Sequence, residues 1–276
     1  MKKTLFLLTV VISFAILFAG CKKDKGNPPV LPPAESMLID FSNFESDKKS
    51  DITESIPKGS QISNWEFAAG VAVIWKTIVY TTLAVPVKSF QLAMTKTPVY
   101  IDDKTWEWKY DATITIDQLS VTYKARLTGQ IRSSDVLWKM YISKEGTNPF
   151  SEFLWFEGTS KLDGTGGQWV LKQGPQNQVP LLQIDWTKTG ESVGMVKYTY
   201  IKTGDSLKDS YIEFGLKTGS LNAYYKIEYY HPVYQDVFEV DVEWSTSGHN
   251  GRVKCEKFFG NTDWYCWDSN YINISC

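Results

Sequence analysis

The side chains best suited to chemistry are thinly spread along this chain. His231 and His249 are its only imidazoles. His231 precedes Pro232, and His249 stands in Ser247-Gly248-His249-Asn250, so both read as turn residues rather than as general bases. No serine or cysteine has a histidine spaced to activate it, and no G-x-S-x-G, HExxH, phosphate-loop, EF-hand or dinucleotide signature occurs. Carboxylates are plentiful, and any two that face each other about 5 to 10 Å apart across a cleft could cleave a glycoside. However, Glu107, Asp111, Glu239, Asp241 and Glu243 alternate with apolar residues, which is the pattern of the wet side of a strand. The sequence therefore predicts neither an enzymatic activity nor a cofactor.

Asp163-Gly164-Thr165-Gly166 superficially matches an aspartic protease triplet, but only one copy exists and its glycines suit a hairpin turn. Cys255, Cys266 and Cys276 lack the paired C-x-x-C spacing of a zinc site, so no metal is predicted. In an oxidising compartment they allow one disulfide and leave one thiol over. Cys255 and Cys266 flank Phe259-Gly260-Asn261-Thr262 symmetrically and could face each other across a hairpin, whereas Cys266 and Cys276 would close a shorter terminal loop.

Aromatic residues are abundant, and their faces can stack on sugar rings or line an apolar pocket. Trp106, Trp108, Trp138, Trp186 and Trp244 fall on the apolar side of alternating patterns and are predicted core. Tyr224 and Tyr230 fall on the side opposite Tyr225 and Tyr229, so one pair must point outward, and all four are candidates for ligand binding. The formal net charge is −2, with no basic stripe, which argues against a nucleic-acid partner.

The amino terminus points to a compartment. Met1-Lys2-Lys3-Thr4 leads into an apolar run over residues 5–19 that is too short to span a bilayer comfortably, the composition of an export signal. The run ends Leu17-Phe18-Ala19-Gly20-Cys21, which resembles the lipobox of type II signal peptides, with Phe18 in place of the usual aliphatic residue. That resemblance implies cleavage before Cys21 and acylation of its thiol, each buried methylene contributing about 0.8 kcal/mol to anchoring. Lys22 stands where an aspartate would retain a lipoprotein at the inner membrane, so an outer membrane is expected. Residues 22–35, KKDKGNPPVLPPAE, read as a charged and Pro-rich tether, extended at about 3.1 Å per residue and able to hold the domain several nanometres from the lipid. The expected division is a signal peptide over 1–20, a lipidated cysteine and tether over 21–36, and a single domain over 37–276.

Residues 37–63 are polar and charged, and little regular structure is expected there. Ser63-Asn64-Trp65-Glu66 then fits a capping box, and the following apolar residues wrap most of a helix near 64–85. Pro86 is expected to kink the chain into a short second helix. Beyond Pro98 the period becomes two. A turn at Asp117-Gln118 pairs Ile116 with Leu119, Ile114 with Val121 and Ala112 with Tyr123, and the next turn sets Ile131 against Val136 and Leu127 against Met140. Further strands are predicted over 153–160, 168–172, 181–186, 195–201, 211–216, 223–230 and 237–244. About ten successive antiparallel strands give a mainly β fold, a long meander curled as a barrel or half-barrel around one buried N-terminal helix.

Several motifs then carry a resemblance that spans most of the mature chain: Asn64-Trp65-Glu66-Phe67-Ala68-Ala69, Leu83-Ala84-Val85-Pro86-Val87, Trp106-Glu107-Trp108, Gly158-Thr159-Ser160-Lys161-Leu162-Asp163-Gly164, Gly251-Arg252-Val253-Lys254 and Asp263-Trp264-Tyr265-Cys266-Trp267-Asp268. Together they resemble an uncharacterised group of Bacteroidota-type envelope lipoproteins. The resemblance implies a disulfide between Cys266 and Cys276, with Cys255 as this chain's departure, and it implies no activity. The expected function is a membrane-anchored, non-enzymatic binding protein for an apolar or lipid-like ligand. The alternative is a surface structural, adhesive or glycan-binding module with a solid core. An apolar cavity of a few hundred cubic ångströms would mark the first, and a filled interior the second.

Overall fold

The computed structural model describes residues 25–44, 62–116, 118–231 and 234–276, apart from the side chains of residues 80, 81 and 116. Cys21 and the export signal lie outside the described residues. Fourteen described strands follow one another: β1 (Val99–Tyr100), β2 (Thr105–Ile116), β3 (Leu119–Ile131), β4 (Asp135–Lys144), β5 (Phe150–Lys161), β6 (Gly166–Gly174), β7 (Asn177–Thr189), β8 (Ser192–Tyr200), β9 (Tyr211–Leu216), β10 (Ala223–His231), β11 (Asp236–Trp244), β12 (Gly251–Lys254), β13 (Tyr265–Trp267) and β14 (Asn273–Ile274). Each pairs antiparallel with the next in chain order, and β1 and β14 remain the two edges of one sheet that does not close.

The alternation of side chains dictates the register. Ile116 pairs with Leu119, Ala112 with Tyr123, Ile131 with Val136 and Leu127 with Met140, as the pattern predicts, because a slip of one residue would turn every apolar side chain to water. Gln118 takes a φ of +68°, the left-handed conformation that a tight hairpin turn demands. Strands β1 and β12 to β14 were not anticipated, since runs of two to four residues carry too little alternation to read.

Trp108, Trp138, Trp169, Trp186, Trp244 and Trp267 are buried on the inner face. Glycines stand beside them: Gly129 and Gly158 flank Trp138, Gly158 also faces Trp169, Gly167 faces Trp186, and Gly251 lies between Trp244 and Trp267. A Cβ on Gly129 would stand 2.5 Å from the Trp138 ring, so the missing side chain is what lets the indole lie across the neighbouring strand. Glycines at such positions also let a sheet bend, which suits a curl built around large rings.

Helix α1 (Asn64–Ala93) begins with the expected capping box: the Glu66 amide donates to Ser63 Oγ at 3.1 Å, and the Ser63 amide donates to Glu66 Oε2 at 2.6 Å. Pro86 does not end it, and the expected second helix is the continuation of the first. Instead the halves Asn64–Val79 and Thr82–Ala93 are bent by 68° to one another. The bend falls about one turn before Pro86, where the ring crowds the Thr82 carbonyl and removes its helical donor. Phe67, Val71, Trp75, Leu83 and Phe90 are buried, and α1 touches β2 and β3 near one edge of the sheet and β12 and β13 near the other. It therefore spans the opening that the unclosed sheet leaves. No single described helix is long and apolar enough to cross a membrane.

The Pro-rich stretch departs from expectation. Lys25 to Pro28 are exposed, but Pro29 and Pro32 are buried, a 3-10 turn spans Ala34–Met37, and Ser36 and Met37 are wholly buried. Residues 29–44 thus form a strap across the inner face instead of the last part of a free tether. Its apolar residues Met37, Ile39, Phe41 and Phe44 outweigh the polyproline preference because rings wait to receive them.

Candidate functional site

The strap is fastened by aromatic side chains from distant strands. Trp169 Nε1 donates to Ser36 Oγ at 3.3 Å, and Tyr198 Oη donates to the Met37 carbonyl at 2.6 Å while accepting the Ile39 amide at 3.1 Å. The Tyr225 hydroxyl donates to the Asp40 carbonyl. Phe44 finishes the strap edge-on to Trp244, with ring centroids 4.9 Å apart. Burial holds the Tyr198 hydroxyl far above its ordinary pKa, so it remains a donor throughout the physiological range.

Beyond Met37 the strap is extended, which sends Ile39 and Phe41 to one side and Leu38 and Asp40 to the other. Ile39 and Phe41, with the edge of Leu38, form one wall of a cleft of about 270 Å³. Val79, Leu83 and Val87 of α1 form the opposite wall at the three-to-four-residue spacing of one helix face, and Ile114 of β2 closes the end. Lys76 and Lys88 also line the cleft, and among the described residues no carboxylate does. The bend of α1 lies between these two lysines and opens the angle that the cleft occupies. The site can therefore take an apolar body and an anionic or polar end.

Two wider grooves are more polar. One, of about 750 Å³, runs between the strap and β8, β9 and β11. The other, of about 830 Å³, lies over β2 to β5, where Lys124 meets Glu145 and Arg126 meets Glu152. Arg126 also lies 4.0 Å from the Tyr141 ring centre, and Glu152 sits at φ +47° beside irregular β4–β5 pairing. Such irregularity re-aims a side chain, here the carboxylate that meets the guanidinium.

The four candidate tyrosines do not converge. Tyr225 and Tyr229 point inward and are buried, Tyr225 to hold the strap and Tyr229 against Phe238. Tyr224 and Tyr230 are the outward pair, half-buried and separated along β10 by Lys226 and Glu228. Tyr224 lies over Gly215 and donates to Glu213 at 2.9 Å; burial first, and that carboxylate second, push its hydroxyl up to about 12. His231 is not a turn residue but the inward end of β10, ringed by Tyr229, Tyr234 and Phe238, and burial lowers its pKa. His249 stays in its turn, where its carbonyl accepts from Trp267 Nε1 at 2.8 Å.

Cys266 and Cys276 are joined, with Cα atoms 5.3 Å apart. Cys266 stands across from Arg252, so the alternative bond to Cys255 has no facing geometry. Cys255 is buried with a free thiol, and burial pushes it up to about 11. The predicted inner tryptophans are where the alternation puts them. The strap and the cleft were missed: the apolar spacing of Met37, Ile39, Phe41 and Phe44 within a polar stretch signals only that the segment can be buried, not what it packs against.

No family model matches the chain, and no curated protein or solved structure matches it.

Proposed function

We propose that this is a lipid-anchored protein of the bacterial envelope, held at the outer membrane through Cys21, which binds a single-chain, lipid-like molecule in the cleft beside α1. The observation that carries this reading is the contrast in filling: tryptophans and the strap occupy the middle of the inner face, while the cleft stays open, apolar on three sides and edged by Lys76 and Lys88. Its 270 Å³ falls just below the range usual for small-molecule sites, roughly 300 to 1,000 Å³. That size suits one acyl chain better than a whole two-chain phospholipid. Two lysines at the edge of an apolar cleft suit an acidic head group.

Titration with a fluorescent single-chain fatty acid tests the cleft. Saturable binding that Ala84→Trp abolishes is the expected result, since Ala84 lines the cleft and an indole there would fill it. Binding unchanged in that variant would place the ligand elsewhere. The anchor is tested by the mass of the amino-terminal peptide, where acyl chains on Cys21 are expected and their absence would refute it.

A second reading, a surface module for glycans or for adhesion, is favoured by cations stacked on outward aromatics: Arg126 on Tyr141, Lys197 on Tyr211 at 3.8 Å and Arg252 on Trp264 at 4.2 Å. Retention on an immobilised glycan, lost in Trp264→Ala, would favour it over the cleft.

A further inference from the structure

We infer that the rim of the sheet at which the strap begins is a membrane-docking face, and that the domain lies with this rim against the lipid surface. The inference rests on the proposed acylation of Cys21. The strap is already docked at Pro29, whose ring stands 3.0 Å from the Cβ position of Gly129 near the end of β3. Residues 22–28 alone separate the lipidated cysteine from that point, a reach of about 30 Å at full extension. β2 by itself, at twelve residues, is about 40 Å long. The short leash therefore keeps this rim beside the membrane and the opposite end away from it.

The rim is built for such a contact. Val30 lies against the turn between β5 and β6, and the same turn exposes Leu162. Ile101 in the turn between β1 and β2, Leu216 at the end of β9 and Ile272 in the turn after β13 are also exposed. These positions share one end of the sheet because alternate turns of an antiparallel meander fall together. The opposite end exposes Leu119, Val179 and Val237. Acidic Asp102, Asp103, Asp163 and Glu191 stand among Lys104, Arg132, Lys161 and Lys217 at the rim, so apolar insertion, rather than attraction to anionic lipid, would hold the contact.

The test uses the full lipidated chain on vesicles of phosphatidylethanolamine and phosphatidylglycerol with brominated acyl chains. Leu162→Cys, Leu216→Cys and Leu119→Cys variants each carry an environment-sensitive thiol dye; the native Cys255 is buried and Cys266 and Cys276 are bonded to each other. The expected result is a shift to shorter wavelength and loss of emission at Leu162→Cys and Leu216→Cys, with neither change at Leu119→Cys. A protein that floats with the vesicles and carries acyl mass on Cys21, yet shows wet dyes at both rim positions or a quenched dye at Leu119→Cys, would overturn the docking face and leave the anchor standing. A chain without acyl mass would remove anchor and docking face together.

Discussion

The backbone of the strap and its apolar side chains behave differently. Over Ser36 to Asp40 its polar groups meet Trp169, Tyr198 and Tyr225, while the side chains of Ile39 and Phe41 on the same short stretch face an open cleft. One segment is thus both a filling for the sheet and a wall for a site. The difference teaches that rigidity here comes from backbone hydrogen bonds to distant aromatics, which frees the apolar side chains to line an empty space at fixed geometry.

Three changes separate the filled region from the open one. The largest effect is expected from Trp169→Ala, which removes an indole in contact with Phe90 and Phe156 and the donor to Ser36; a loss of about 3 to 5 kcal/mol should appear in denaturant unfolding. A near-neutral result would mean that the inner face is not close-packed. Tyr198→Phe keeps the ring and deletes both strap bonds, so about 1 to 3 kcal/mol should be lost and protease cleavage within residues 29–44 should accelerate. Ser63→Ala removes the cap of α1 at the end remote from the cleft, with a loss of about 1 kcal/mol and unchanged fatty-acid binding. Reduced binding in that variant would show that the helix start and the cleft are coupled.

The smallest effect concerns pH, away from both regions. Burial works to raise the pKa of Glu243, but the bonds from Lys217 and Arg252 outweigh it and the net shift is downward. A lowered folded pKa stabilises above the unfolded value, about 4.3 for glutamate, and that contribution is lost as the pH falls through the folded value. Glu243→Gln should therefore lower stability slightly and evenly across the neutral range, with the difference from wild type closing as the pH falls through the folded value. A difference that persists undiminished at low pH would contradict the assignment.

The sheet was legible because its rules are local. Alternation from Trp106 to Ile131 specifies faces, the Asp117-Gln118 turn specifies register, and Ser63 with Glu66 specifies where the helix starts. The strap was not, because its partners are 133 to 185 residues away in sequence, and nothing near Pro29 or Met37 announces Trp169 or Tyr225. Local composition there favours a solvated polyproline chain, and tertiary burial overrides it. Pro86 shows the same limit: its chemistry predicts a disturbance one turn upstream, but whether the helix breaks or bends depends on what α1 rests against. The cleft follows from both illegible features, so no motif could announce it.

Native mass spectrometry of the protein, taken from a bacterial envelope without detergent and with its acylated amino terminus proteolytically removed, tests the central claim most directly. The account predicts extra mass of a single-chain lipid in the wild type, removed by organic extraction and absent in Ala84→Trp. A bare wild-type mass, with no uptake of added fatty acid, would contradict it.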